Sequence, residues 1–315
     1  MPFPDAAWKE RTQCAICSSK SATLERMVDV FPIQRCDDCG FLQTAKILRP
    51  EALIAFYSDG YNGVRPRQGQ QVNAEINIAA TRKLGALQGN GQKLLDIGCG
   101  FGFFVDRIAQ LESVDAAGIE LSEAQLAFGK NELGITVGRD ISELPERFHD
   151  GLDIITCFEV IEHIADPIAF LQQYTKLLKP GGWFIIATDN FKSLPVRAMG
   201  DAFPKWIPHQ HISLFDPASL QDTMERTGQL ELITKISVTP WELLLRAAVY
   251  RGTLRRIGGR DFDLEREVST ENNRPFQAFG IRLAFNRFWF SLFNRRNLEG
   301  EMMFVAAKRI AEPMA

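Results

Sequence analysis

Histidine is scarce in this chain: 315 residues hold four. Few positions are therefore open to a group that titrates near neutral pH. There is no uninterrupted apolar run long enough to cross a bilayer, which excludes a spanning helix. No amino-terminal stretch joins a basic flank, an apolar core and a small-residue cleavage site, so secretion is not expected and a cytoplasmic enzyme is. Excess charge is missing too. A net charge of −3 and a pI near 5.9 give no reason to expect a polyanionic partner. Internal repeats and low-complexity tracts are also absent. What remains is ordinary globular material, 45% hydrophobic and 24% charged, with length for one large domain or two.

Four of the six cysteines fall in the first forty residues, as Cys14-Ala-Ile-Cys17 and Cys36-Asp-Asp-Cys39. Two C-x-x-C knuckles eighteen residues apart match a four-thiolate zinc site. Two intervening residues let one tight turn place both sulfurs on a tetrahedral ion, and four thiolates leave no open position for water. A structural Zn2+ is the expectation, with two disulfides as the alternative in an oxidising compartment. Cys99 and Cys157 stand apart at strand ends and read as core filling.

The run Leu94-Leu95-Asp96-Ile97-Gly98-Cys99-Gly100-Phe101-Gly102 is an apolar strand that breaks into a glycine turn and opens a helix. Glycines allow a tight turn and close approach of a ligand. A nicotinamide dinucleotide fingerprint wants a small residue at 103, which Phe103 fills. Asp96 would repel a pyrophosphate seated at the helix N-terminus. A cationic ligand without phosphate fits better, and S-adenosylmethionine, with its ammonium and sulfonium, is one. Glu120, eighteen residues past Gly102, sits where an acid accepts both ribose hydroxyls. Asp140 lies after the third strand, placed to accept from an adenine amino group, or Ile141 supplies the shelf beneath the ring.

Strands are expected at 93–97, 116–120, 135–137, 153–158 and 183–188, with helical patterns between. Pro180-Gly181-Gly182 breaks the chain before the fifth. Such alternation argues for a parallel sheet covered on both faces. Helices are expected at 51–57, 70–87 and 216–227, and further strands at 230–238 and 301–307. The organisation expected is a zinc module over 1–50, a helical linker or lid over 51–90, a catalytic domain over 91–238 and 300–315, and an insertion over 239–299.

These residues, with Cys157-Phe158-Glu159-Val160-Ile161-Glu162-His163 and Leu178-Lys179-Pro180-Gly181-Gly182-Trp183, resemble the class I S-adenosylmethionine-dependent methyltransferases. The front end, Arg35 to Phe41 followed by Phe56-Tyr57 and Tyr61, is similar to the zinc-binding module of bacterial methyltransferases, including that of sugar C-methyltransferases. The resemblance implies a Rossmann-like α/β sheet of seven strands, the last antiparallel, with cofactor across the tips of the first four. It implies that Asp96, Gly98, Gly100, Gly102 and Phe103 meet the methionine end. Glu120, with Leu121 beside it, would meet the ribose, and Asp140 or Ile141 the adenine. Phe158 and Glu159 would border the methyl-donor pocket.

Methyl transfer is an in-line displacement, so alignment and water exclusion dominate, and a hydroxyl or carbon acceptor also benefits from a base. His149, beside Asp150 in a loop, reads as exposed, and His163 as a structural helix residue. His209 and His211, in Pro208-His209-Gln210-His211-Ile212-Ser213-Leu214-Phe215, lie in the loop expected above the pocket. The segment resembles the His-Glu-His-x-Ser-x-Phe of sugar C-methyltransferases, with Gln210 in place of the glutamate. His211 is the first candidate for base or acceptor-orienting residue, His209 the second, and Tyr61 a third group able to reach acceptor or cofactor.

From Trp241 to Asn297 eleven arginines face six acids and no lysine, a balance of +5. Aromatics crowd its second half. A lid or homodimer surface is one reading; a pocket or peripheral membrane contact for a lipid-linked or phosphorylated acceptor is the other. The acceptor expected is a small molecule, sugar or glycan. An RNA methyltransferase would want a basic front end, but Met1–Pro50 holds seven Lys/Arg against six Asp/Glu. A non-catalytic binding protein on the same fold is the third class.

Overall fold

The computed structural model describes residues 4–56, 58, 67–89, 91–239, 243, 244, 248, 288, 289 and 298–311. Tyr61 and nearly all of the insertion lie outside them. In chain order the elements begin with β1 (Trp8–Glu10), β2 (Ala22–Val28), β3 (Phe31–Cys36), β4 (Leu42–Thr44), β5 (Lys46–Leu48), α1 (Pro50–Ala55) and α2 (Arg67–Lys83). An alternating half follows: β6 (Lys93–Ile97), α3 (Phe103–Glu112), β7 (Asp115–Ile119), α4 (Glu123–Phe128), β8 (Thr136–Gly138), β9 (Leu152–Phe158), α5 (Pro167–Thr175) and β10 (Leu178–Asp189). Last come α6 (Leu194–Met199), β11 (Ser213–Leu214), α7 (Pro217–Arg226), β12 (Leu230–Val238) and β13 (Met302–Arg309).

Seven strands form one sheet in the order β12-β13-β10-β9-β6-β7-β8. β6, β7, β8, β9 and β10 pair in parallel, and β13 runs antiparallel to both of its neighbours. The strand order reverses between β6 and β9. At such a point neighbouring connections leave to opposite faces, and a crevice opens at the carboxyl ends. The central strands read as apolar runs because both faces are covered: Leu94, Leu95, Ile154 and Ile155 are fully buried.

Two expectations shift in detail. β10 begins at Leu178, which pairs with Leu152, and the Pro-Gly-Gly stretch is a register irregularity inside the strand before Trp183 restores regular pairing. The third parallel strand lies one residue later than expected, ending on Gly138.

The amino-terminal segment does not stand apart. Its sheet runs β11-β4-β3-β2, and the edge strand β11 comes from the loop after β10. Thr44 N donates to Ile212 O at 3.0 Å, and the Phe41 and Phe215 rings lie 5.2 Å apart. Asp216 closes this loop by capping α7 in a reciprocal box with Ser219.

α3 opens on Gly102, whose φ of 84° is left-handed. A Cβ there would stand 2.1 Å from Ile135 Cδ1. This glycine seats the helix against the chain entering β8. Gly102→Ala should therefore lower the unfolding free energy by about 1–2 kcal/mol, the usual penalty for a left-handed non-glycine residue. Urea denaturation checks this, and unchanged stability contradicts it.

Candidate active site

The strand tips around β6 enclose a cavity of about 410 Å³. Its floor is the glycine turn. Gly98 has φ 72°, and a Cβ there would meet Val160 Cγ2 at 2.4 Å. Gly98 N and Cys99 N both donate to Ile119 O, at 2.8 and 3.0 Å, which ties the turn to β7. Glu120 closes the tie. One carboxylate oxygen accepts from Gly100 N at 2.9 Å and the other from Ser122 N at 2.8 Å. Each oxygen keeps a second acceptor direction, so the group still has capacity for hydroxyls of a ligand. Burial pushes Glu120 above the usual carboxylate range, against the backbone amides that pull it down.

Asp96 is fully enclosed beneath the turn. Thr156 Oγ1 donates to it at 2.6 Å. Burial pushes its carboxyl up to about 7, and the charge of Glu120 adds to the rise. No cation of the chain is paired with it among the described residues. The site thus holds buried acid in excess, an arrangement suited to a positively charged ligand.

Of the residues read from sequence, Asp96, Gly98, Gly100, Phe103, Glu120, Leu121, Phe158, Glu159 and His211 line this cavity together. Phe158 is held edge-on by Phe104 at 5.0 Å. Glu159 has φ 57°, rare for a non-glycine residue, and accepts from Asn73 Nδ2 of α2 at 3.2 Å.

The others are placed differently. Gly102 packs on Ile135. Asp140 is exposed and caps the turn Ile141–Glu143, accepting from Ser142 N at 2.7 Å and Ser142 Oγ at 2.6 Å. Ile141 packs on the main core. Neither lines the cavity. His209 does not line the cavity; it is buried, 5% exposed, with its ring 6.4 Å from Phe31. His149 is half-buried, with Nε2 at 2.9 Å from Leu144 O, not exposed as expected.

The far end of the cavity was not anticipated. Glu162 and His163, read as an ordinary helix pair, sit in a short turn, Ile161–His163, that faces His211. Ligand atoms of Glu162, His163 and His211 lie within 4.8 Å of one another, a grouping able to hold a cation. Thr188 Oγ1 donates to Glu162 at 2.8 Å, while burial pushes that carboxyl up to about 7. His163 Nδ1 donates to Gln210 O at 3.0 Å, and burial, with His211 nearby, brings it down to about 3, so the ring is neutral. Asp189 Oδ2 lies 3.3 Å from His211 Nδ1. Burial opposes the charge of Asp189, but Lys205 and His211 hold its carboxyl well below the usual range. His211 and the Glu-His pair of the Cys157–His163 segment are the members with a sequence signal; Asp189 and Lys205 carry none.

Beyond the cavity, Cys14, Cys17, Cys36 and Cys39 converge. All four sulfurs lie within 4.8 Å of one another, with Cys14–Cys39 at 3.5 Å and Cys17–Cys36 at 3.4 Å. Every cysteine is a free thiol. Four sulfurs at about 2.3 Å from a tetrahedral ion stand about 3.8 Å apart, so the set fits zinc.

Comparison with known proteins agrees with this geometry. The methyltransferase domain family matches residues 69–233. The chain is 33% identical over 208 residues to the ubiquinone biosynthesis O-methyltransferase of Cereibacter sphaeroides, covering 59% of this chain and 83% of that one. It is 30% identical over 213 residues to the enzyme of the same name from Dinoroseobacter shibae, covering 62% and 85%. Among solved structures, Haemonchus contortus phosphoethanolamine N-methyltransferase 2 in complex with S-adenosyl-L-methionine superposes with a TM-score of 0.50 at 18% identity, over 85% of this chain and 63% of that one. At that identity the likeness concerns the fold alone. The chain belongs to the methyltransferase domain family and is a class I S-adenosylmethionine-dependent methyltransferase.

Proposed function

We propose that this enzyme methylates a hydroxyl of a small molecule, with His211 as the base or acceptor-orienting group. The observation that carries the reading is that His211, paired with buried Asp189, lines the same cavity as Asp96 and Glu120. The relatives named as O-methyltransferases support oxygen as the accepting atom. Asp96, Gly98, Gly100 and Phe103 would hold the methionine end of the donor, and Glu120 with Leu121 would hold the ribose. When bound, S-adenosylmethionine would supply an electrophilic methyl group on a sulfonium. Phe158 and Glu159 would border that group. His211, carrying a proton on Nδ1 against Asp189, presents its other nitrogen to the acceptor and accepts the hydroxyl proton. The arginine-rich insertion over 239–299, read as a lid, dimer or membrane surface, lies almost wholly outside the described residues. A sugar or glycan hydroxyl is within this class.

We further assign one Zn2+ to Cys14, Cys17, Cys36 and Cys39, with a structural role. Its place beside α7, through Phe41 and Phe215, supports this. The loop bearing His211 shares that packing.

Three outcomes are expected. Labelled methyl from S-adenosylmethionine, given to fractionated extract, enters the small-molecule pool, and His211→Ala cuts the transfer by roughly 10²–10⁴-fold. Label in RNA, or full transfer by the variant, contradicts the reading. Glu120→Ala weakens binding of S-adenosylhomocysteine by about tenfold or more in calorimetry, through loss of charged hydrogen bonds worth about 1.5–3 kcal/mol; unchanged affinity contradicts its role. Elemental analysis finds one zinc per chain, and Cys36→Ser loses it together with thermal stability. Zinc-free protein of unaltered stability would overturn the assignment.

A further inference from the structure

Lys205 stands alone among acids. It lies in the loop between α6 and β11, with its side chain 18% exposed. Its ammonium contacts Asp189 at the end of β10, Glu301 at the entry to β13 (2.6 Å) and Glu159 after β9 (3.5 Å). Asp189 and Glu301 are each 1% exposed, and no other Lys or Arg contacts either among the described residues. Two buried carboxylates of this kind are strongly destabilising without a cation to pair them.

The division of labour on Asp189 is informative. Lys205 Nζ takes Oδ1, and His211 Nδ1 faces Oδ2. A cation at one carboxylate oxygen restricts rotation of the group about its Cβ–Cγ bond, and with it the direction of the other oxygen. Glu162 and His163 also lie beside the His211 ring, the latter with ring centroids 5.0 Å away.

We propose that Lys205 is a positioning residue for methyl transfer: by holding Asp189 Oδ1 it turns Oδ2 onto His211 Nδ1 and so presents the ring to the acceptor. The inference rests on the reading of His211 given above. It also explains why one cation joins three strand ends. Glu159, with its left-handed backbone, is held between Lys205 and Asn73. Glu301 begins the strand by which the chain returns from the insertion, so the same ammonium binds that return to the acceptor end.

Long-range proton–nitrogen NMR of the imidazoles tests this directly, because only four rings need assignment. In the wild-type protein His211 is expected as the Nδ1–H tautomer. Lys205→Met should give mixed tautomers and slow label transfer into the small-molecule pool by roughly ten- to hundredfold, the scale of a misplaced reacting group. The affinity for S-adenosylhomocysteine should stay within about twofold, since Lys205 acts on the acceptor side. Lys205→Arg should restore the tautomer and at least part of the rate. Where Lys205→Met fails to fold, Lys205→Met with Glu301→Gln removes one charge of each sign and carries the same expectation. An unchanged tautomer or an undiminished rate in these variants overturns the role of Lys205. Full transfer by His211→Ala overturns the reading beneath it instead, whatever the tautomer shows.

Discussion

Carboxyl groups buried at the carboxyl ends of parallel strands set the terms for the rest of this structure. Asp96 has lost its water and gained one threonine hydroxyl. Glu120 is fastened by two backbone amides of the turns that flank it. Both are raised by burial, so each works against the fold as it ionises. For Asp96 the sign is definite. With a folded value of about 7 against about 3.9 unfolded, its contribution is fully present below about pH 4 and lost as pH rises through 7. A cationic ligand beside Asp96 would reverse that loss. The glycine turn above these acids has φ angles that side-chain-bearing residues resist.

The acceptor side is built from parts remote in sequence. β11 makes the loop after β10 the edge strand of the amino-terminal sheet, so the cysteine cluster and His211 belong to one packed unit. Phe41, Phe215, Leu220 and Met224 share a core with Cys14 and Cys36. On the other side, Lys205 joins the histidine loop to the strand ends.

Much of this was legible because it repeats local rules. Alternating apolar strands and helical patterns gave the parallel sheet, and the acid-then-glycine turn with Glu120 marked residues that line one cavity. The C-x-x-C spacing gave the cluster of thiols. Placements that differ from the sequence reading have local causes too. Asp140 sits at the right place in the chain, but a serine two residues on claims its carboxylate, and the side chain turns outward to cap. Gly102 looks like a ligand-facing glycine and is a packing glycine, set by Ile135. Glu162 and His163 read as a helix pair because nothing in their own segment shows that His211, nearly fifty residues on, folds over them. Asp189 and Lys205 are invisible for the same reason: their meaning is a contact between a strand end and a loop. Tyr61 and the arginine-rich insertion lie outside the described residues.

The central claim is that the buried acids exist for a cationic methyl donor, and proton linkage reads this most directly. Calorimetric titration of S-adenosylmethionine between pH 6 and 8, in two buffers of different ionisation enthalpy, counts protons exchanged on binding. A sulfonium or ammonium beside Asp96 favours its carboxylate. Binding should therefore release a proton near pH 7 and tighten as pH rises through that value, and Asp96→Asn should abolish the release. Affinity flat across this range, with no release in the wild-type protein or the same release in Asp96→Asn, would contradict the account.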